Sequence, residues 1–174
     1  MAEIERKFRV SRVPDEQVRG PGAGLRQGYV AVDGDVEVRV RDEDGACTLT
    51  VKGGRGLVRA EVEVALDRDR FDELWSLAGE RTIEKTRHRI PVGDHTAELD
   101  LYAGRLAGLA VVEVEFASQD DAETFVAPDW FGVELTGEPG WSNAALARHG
   151  SRARSDPPGT GSPRRSSRSR WATS

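Results

Sequence analysis

The chain of 174 residues has one cysteine, one methionine and three histidines, and only 6% of it is aromatic. A lone Cys47 excludes an intrachain disulfide. It sits in the alternating run Cys47, Leu49, Val51, where a small buried hydrophobe is expected rather than a nucleophile. His88, His95 and His149 share no metal-ligand spacing, which excludes a zinc-type cluster and leaves each expected in solvent. No apolar run approaches the roughly 18 residues of a membrane-spanning helix. Charge begins at Glu3, so no signal peptide is expected, and the default compartment is the cytoplasm. Gly53-Gly54-Arg55-Gly56 is followed by neither Lys-Ser/Thr nor a helix, which excludes a P-loop.

Charge is what the chain has in abundance: 32% of residues are charged against 37% hydrophobic. Along an extended strand alternate side chains share a face, and the charges follow that period. Glu3, Glu5 and Lys7 alternate with Ile4, Arg6 and Phe8. The period returns at Glu37, Arg39, Arg41; at Glu61, Glu63; at Lys85, Arg87, Arg89; at Glu98, Asp100; and at Glu113, Glu115. The net charge of −5 conceals an asymmetry, because six arginines against one aspartate give +5 to residues 151–174 and leave −10 on residues 1–150. The Ser, Arg, Pro and Gly of residues 149–174 read as a disordered tail with at most weak contact to nucleic acid or acidic surfaces. Residues 1–148 read as one domain.

Hydrophobic alternation predicts eight strands, over residues 2–10, 25–32, 36–41, 47–52, 57–66, 81–91, 97–101 and 109–116. Helical spacing predicts helices over 67–78, from a Ser118 cap to about 126, and from a Ser142 cap to about 148. Short connections make the strands antiparallel neighbours, and eight such strands close into a barrel. The expected fold is therefore β-dominated α+β, an eight-stranded antiparallel closed barrel with a few covering helices. If the apolar sides faced inward, the charges would form exposed salt-bridge ladders and the helices would have nothing to cover. With the charged sides inward, the three helices cover the apolar exterior, and that arrangement is the expected one.

Such a lumen would hold nine acids (Glu3, Glu5, Glu37, Glu61, Glu63, Glu98, Asp100, Glu113, Glu115) and nine bases (Lys7, Arg9, Arg39, Arg41, Lys52, Arg59, Lys85, Arg87, Arg89). Each buried ion costs several kcal/mol to desolvate, so the lumen must be hydrated and occupied by something polyionic. Glu-x-Glu pairs suit hard divalent cations. Arg and Lys clusters suit phosphate oxygens. A linear phosphate chain with bound metal satisfies both.

The ordered set of motifs resembles the CYTH superfamily, the triphosphate tunnel metalloenzymes. It comprises Glu3-Ile4-Glu5-Arg6-Lys7, Leu25-Arg26-Gln27-Gly28-Tyr29, Val38-Arg39-Val40-Arg41, Thr50-Val51-Lys52, Glu61-Val62-Glu63, Glu84-Lys85-Thr86-Arg87, Glu98-Leu99-Asp100 and Val112-Glu113-Val114-Glu115-Phe116. It is most similar to the short bacterial members that hydrolyse inorganic triphosphate. The resemblance implies an eight-stranded tunnel, a need for Mg²⁺ or Mn²⁺, and hydrolysis of tripolyphosphate to pyrophosphate and phosphate by a monomer or homodimer. It implies Glu3, Glu5, Glu113 and Glu115 as the main metal carboxylates. Glu61, Glu63 and Asp100 would ligate a second metal, position water or hold basic side chains. Lys7, Arg39, Arg41, Lys52 and Arg87 would bind phosphate. Lys85 and Tyr29 would form a catalytic pair in which the ammonium favours the phenolate. Relatives often place basic residues before the last helix; here Gly137–Asn143 carries only Glu138. The same fold leaves three other readings open: an organic triphosphatase acting on thiamine triphosphate or a nucleotide, an adenylate cyclase, and a polyphosphate-binding module without turnover. Trp141 is the one residue suggestive of a base-binding surface, although Trp75, Trp130 and Trp141 are all expected to be packing residues.

Overall fold

A computed structural model of the chain describes residues 4–34, 36–53 and 60–150. Glu3, Arg59 and the expected tail beyond Gly150 lie outside the described residues. The strands are β1 (Ile4–Arg9), β2 (Ala23–Asp33), β3 (Val36–Glu43), β4 (Ala46–Gly53), β5 (Ala60–Leu66), β6 (Thr82–Val92), β7 (His95–Tyr102), β8 (Ala110–Phe116) and β9 (Val133–Glu134). The helices are α1 (Arg68–Ala78), α2 (Gln119–Thr124) and α3 (Asn143–His149). Asp67, Ser118 and Ser142 cap them, each accepting a backbone N–H three residues on. Among the described residues no helix is long and apolar enough to cross a membrane.

All strand pairs are antiparallel, in the order β5-β4-β3-β2-β6-β7-β8-β1-β9. The expected closed eight-stranded barrel is therefore corrected to an open sheet of nine strands. Closure would pair β5 with β1, but both edges of β1 are taken. One pairs with β8, and the other receives β9 opposite Phe8 and Arg9, with Leu135 N–H donating to the Lys7 carbonyl. The ninth strand is two residues long, too short to show a period.

The outer face is apolar, as the alternation requires, and two helices cover it. Phe71 of α1 packs with Val40 and Cys47, flanked by Leu49, Leu66 and Trp75. Gly28 permits that approach, since a Cβ there would stand 2.8 Å from the Ala78 Cβ. A second cluster joins Phe8, Leu99, Val112, Val114 and Phe116 to Ala122 of α2 and to Phe131. His95 belongs to this side rather than to solvent: its ring meets Phe116 and Phe125 edge-on, and Nε2 lies 3.4 Å from Asp121.

The third helix does something else. Tyr29, Ile83, Tyr102 and Val111 share strand parity with Arg39, Lys85, Asp100 and Glu113, so they occupy the inner face. Leu135, Trp141, Leu146 and Ala147 cluster with them. The expectation that all three helices cover the exterior is thus corrected for α3. The inner face changes from charged to apolar along the same strands, and α3 plugs the apolar end to make a cup. Leu146 is fully buried in that plug. Leu146→Ala is expected to cost about 2–5 kcal/mol by lost transfer energy and a residual cavity, read as a lower urea midpoint.

Candidate active site

The open end of the cup is a cavity of about 690 Å³, within the range of small-molecule sites. Glu5, Lys7, Glu113 and Glu115 line it from β1 and β8. Glu37, Arg39, Arg41, Lys52, Glu61 and Glu63 line it from β3, β4 and β5. Arg87, Arg89 and Glu98 come from β6 and β7, and Tyr29 from β2. Leu135–Glu138 and Trp141–Ala144 complete the wall. The strand parity that makes one face charged thus brings Glu5, Arg39 and Glu115 into a single enclosure.

Two expected site residues, Lys85 and Asp100, lie beneath the lining. The Asp100 carboxylate is fully buried between two cations. Lys85 Nζ stands 2.5 Å from Oδ2, and Arg87 is bidentate, with Nε to Oδ1 and Nη2 to Oδ2 both at 2.7 Å. Of the roles open to it, Asp100 here holds basic side chains in place. Arg87 pairs with Glu98 as well and stands 3.6 Å from Glu113. Burial lowers the Lys85 pKa, and Arg87 adds to that, against the pull of Asp100 and Glu113. Lys7 goes the other way: burial disfavours its charge, but Glu113 at 2.7 Å and Glu5 outweigh it. Arg9, expected inside, is not in the lining; its guanidinium stands 5.8 Å from the Trp141 ring centroid.

Tyr29 is 2% exposed. Its hydroxyl accepts a 3.1 Å hydrogen bond from Gln27 Nε2, and burial raises its pKa well above the usual phenol value. The Lys85 ammonium, expected to favour a Tyr29 phenolate, is bonded to Asp100, and burial of Tyr29 disfavours the phenolate form.

The carboxylates divide by their neighbours. Lys52 binds Glu61 at 2.8 Å, with Arg39 3.8 Å away, and although burial alone would raise the Glu61 pKa, these cations lower it. Glu63 accepts from Thr50 Oγ1 at 3.1 Å. Glu5 and Glu115 are exposed and stand directly opposite each other in the β1–β8 register. Like charges so placed repel, and a hard cation with its waters would relieve that repulsion. Among the described residues no three ligand-type side chains converge as a preformed metal cluster. The donor chemistry nevertheless fits a hard divalent cation such as Mg²⁺ or Mn²⁺: among the described residues eight carboxylates line the cavity beside six basic side chains, oxygen donors of the kind such cations take.

Several residues here were not anticipated. Thr136 and Glu138 enter from irregular chain without periodicity, so no pattern marks them, and Asn143 enters from the start of α3. Gln27 shares the parity of Tyr29, and that signal was available. The buried Nε atoms of Arg39 and Arg41 have no hydrogen-bond partner among the described residues.

A family model described as CYTH domain matches residues 1–131. The chain is 42% identical over 150 residues to an inorganic triphosphatase of Nitrosomonas europaea, covering 84% of this chain and 97% of that one. An inorganic triphosphatase of Acetivibrio thermocellus is 36% identical over 149 residues, covering 84% and 94%. The fold is similar to the crystal structure of an inorganic triphosphatase, with TM-score 0.66 and 39% identity over 84% of this chain and 95% of that one. A putative adenylate cyclase from Bacillus halodurans, at TM-score 0.55 and 19% identity over 70% and 84%, shares the fold.

The Glu113 carboxyl is held at about 2; burial pushes it up, but Lys7, Lys85 and Arg87 prevail. A depressed acid contributes stability that is present above its unfolded pKa and lost as pH falls through the folded one. Glu113→Gln is therefore expected to flatten the loss of stability between about pH 4.5 and 2, followed by urea unfolding in chelator at stepped pH. An acid limb as steep as the wild type's would contradict the ion-pair account.

Proposed function

The chain belongs to the CYTH domain family, and we propose that it hydrolyses inorganic tripolyphosphate to pyrophosphate and phosphate in this cavity with Mg²⁺ or Mn²⁺. One observation carries the reading furthest: the Arg39 and Arg41 guanidinium groups each bury an Nε–H donor that has no acceptor among the described residues. Arg41 forms no ion pair among the described residues, and burial together with Arg39 and Arg87 lowers its pKa. Donors so arranged await an anion with several oxygens, and Arg suits phosphate.

Glu5, Glu113 and Glu115 would hold the cation, with Glu3 completing the set from outside the described residues. The bound cation supplies neutralisation of phosphate charge. Arg39, Arg41, Lys52, Arg87 and Lys7 bind phosphate oxygens and oppose the charge that develops as the anhydride breaks. Asp100 keeps Lys85 and Arg87 fixed below the phosphate chain, so their field needs no reorganisation. Tyr29 serves as a neutral hydrogen-bond donor. Water enters from the open side of the cup.

The burial of Trp141 bears on substrate choice. At 5% exposure in the plug, it offers little surface on which a base could stack, which favours inorganic over organic triphosphate. Purified protein is expected to release phosphate from tripolyphosphate with Mg²⁺ or Mn²⁺, and to lose that activity in chelator. Glu5→Ala and Lys85→Ala are each expected to lower kcat at least about 100-fold while circular dichroism stays unchanged. Absence of release across a panel of triphosphates, or cyclic AMP formed from ATP, would contradict the reading.

A further inference from the structure

We infer that Gln27 is a positioning residue: it holds the Tyr29 hydroxyl so that the phenol proton faces the cavity, toward a phosphate oxygen of the bound substrate. This rests on the triphosphatase reading and extends it to a residue outside the charged set.

Gln27 lies two residues before Tyr29 on the inner face of β2 and has no exposed surface. Its Nε2 donates to the Tyr29 Oη at 3.1 Å. Its Oε1 is buried without a partner among the described residues. A buried acceptor left unpaired destabilises the fold. A methionine or leucine would fill the same space without that cost, so packing does not account for the amide.

A phenol oxygen carries one O–H and two lone pairs. The Gln27 amide occupies one lone pair. Arg39 is the register partner of Tyr29 across β2 and β3. The Gln27 bond uses the oxygen as acceptor, and the proton is left over. It can go only where the ring leaves space. Below the ring is the plug, with Tyr102 and Leu135 in the same cluster. Above it is the cavity, which Tyr29 lines. The chain bulges directly after Tyr29, where the β2–β3 register shifts, and a bulge commonly re-aims a side chain. A neutral O–H aimed into the site donates to an acceptor-only ligand, and phosphate oxygens are that.

The test uses the full chain labelled with ¹³C at tyrosine Cζ. There are two tyrosines, and Tyr29→Phe assigns the resonances. Inorganic pyrophosphate with Mg²⁺ is the probe. The Tyr29 signal is expected to shift on titration while Tyr102 stays, and Gln27→Met is expected to cut that shift by at least about half. The same variant is expected to lower kcat for tripolyphosphate about 10-fold with KM within about 2-fold, a transition-state effect. Its Tm is expected to equal or exceed the wild type's, because the orphan acceptor is gone. Gln27→Met/Tyr29→Phe is expected to be no slower than Tyr29→Phe, since both changes remove one interaction. Wild-type kcat in Gln27→Met, losses that multiply in the double variant, or a Tyr29 signal indifferent to pyrophosphate would each overturn the inference. A wild type that never releases phosphate, yet shows the Gln27-dependent shift, would overturn the triphosphatase reading and leave the role of Gln27 standing.

Discussion

A charge taken out of water must bring a counter-charge, a hydrogen-bond donor set or water with it, or it will not stay ionised. That constraint organises the inner face of this sheet. Asp100 is wholly buried, and it is sustained by Lys85 and by both arms of Arg87. Arg87 is then shared with Glu98 and Glu113, and Glu113 with Lys7. The chain of opposite signs runs from the floor of the cup to its wall. Toward the mouth the balance loosens: among the described residues Arg39 and Arg41 bury Nε–H groups without acceptors. Structural neutrality below and incomplete neutrality above is what separates a scaffold from a binding site.

The plug sharpens that division. Ile83, Tyr102 and Val111 occupy the strand face that carries Lys85, Asp100 and Glu113 a few residues on. The face is apolar where α3 fills it and ionic where it opens. An apolar floor excludes water from one side of the ion network and strengthens every interaction in it. It also buries Trp141 at the edge of the cavity.

Much of this was legible in the residues themselves. Strict alternation at Val36–Arg41 or Val112–Phe116 identifies a strand and sorts its faces at once, so the charged interior and most of the cavity lining followed without coordinates. Ser118 and Ser142 announced their helices by cap chemistry. What escaped depends on relations between elements. Alternation cannot say whether β1 meets β5 or a two-residue β9, so closure was misjudged. It cannot say that α3 turns inward, because Leu146 and Ala147 look alike against either face. The resemblance pairs Lys85 with Tyr29; that Asp100 also holds the lysine, and that the phenol is buried, are relations only three dimensions show.

Period two also explains how one framework can carry different chemistries. The outer parity, with Val40, Leu99, Val112 and Val114, builds the packing that defines the sheet. Beyond the α3 plug, the inner parity meets its own face and the occupant of the cup. Changes to it do not touch the outer core, so the lining can diverge while the sheet persists. A fold shared at 19% identity with a protein titled a putative adenylate cyclase is consistent with that independence, and fold by itself does not assign chemistry. The assignment rests on inner-face particulars: the opposed Glu5 and Glu115, the orphan donors of Arg39 and Arg41, the clamped Lys85, and a phenol held neutral above an apolar floor.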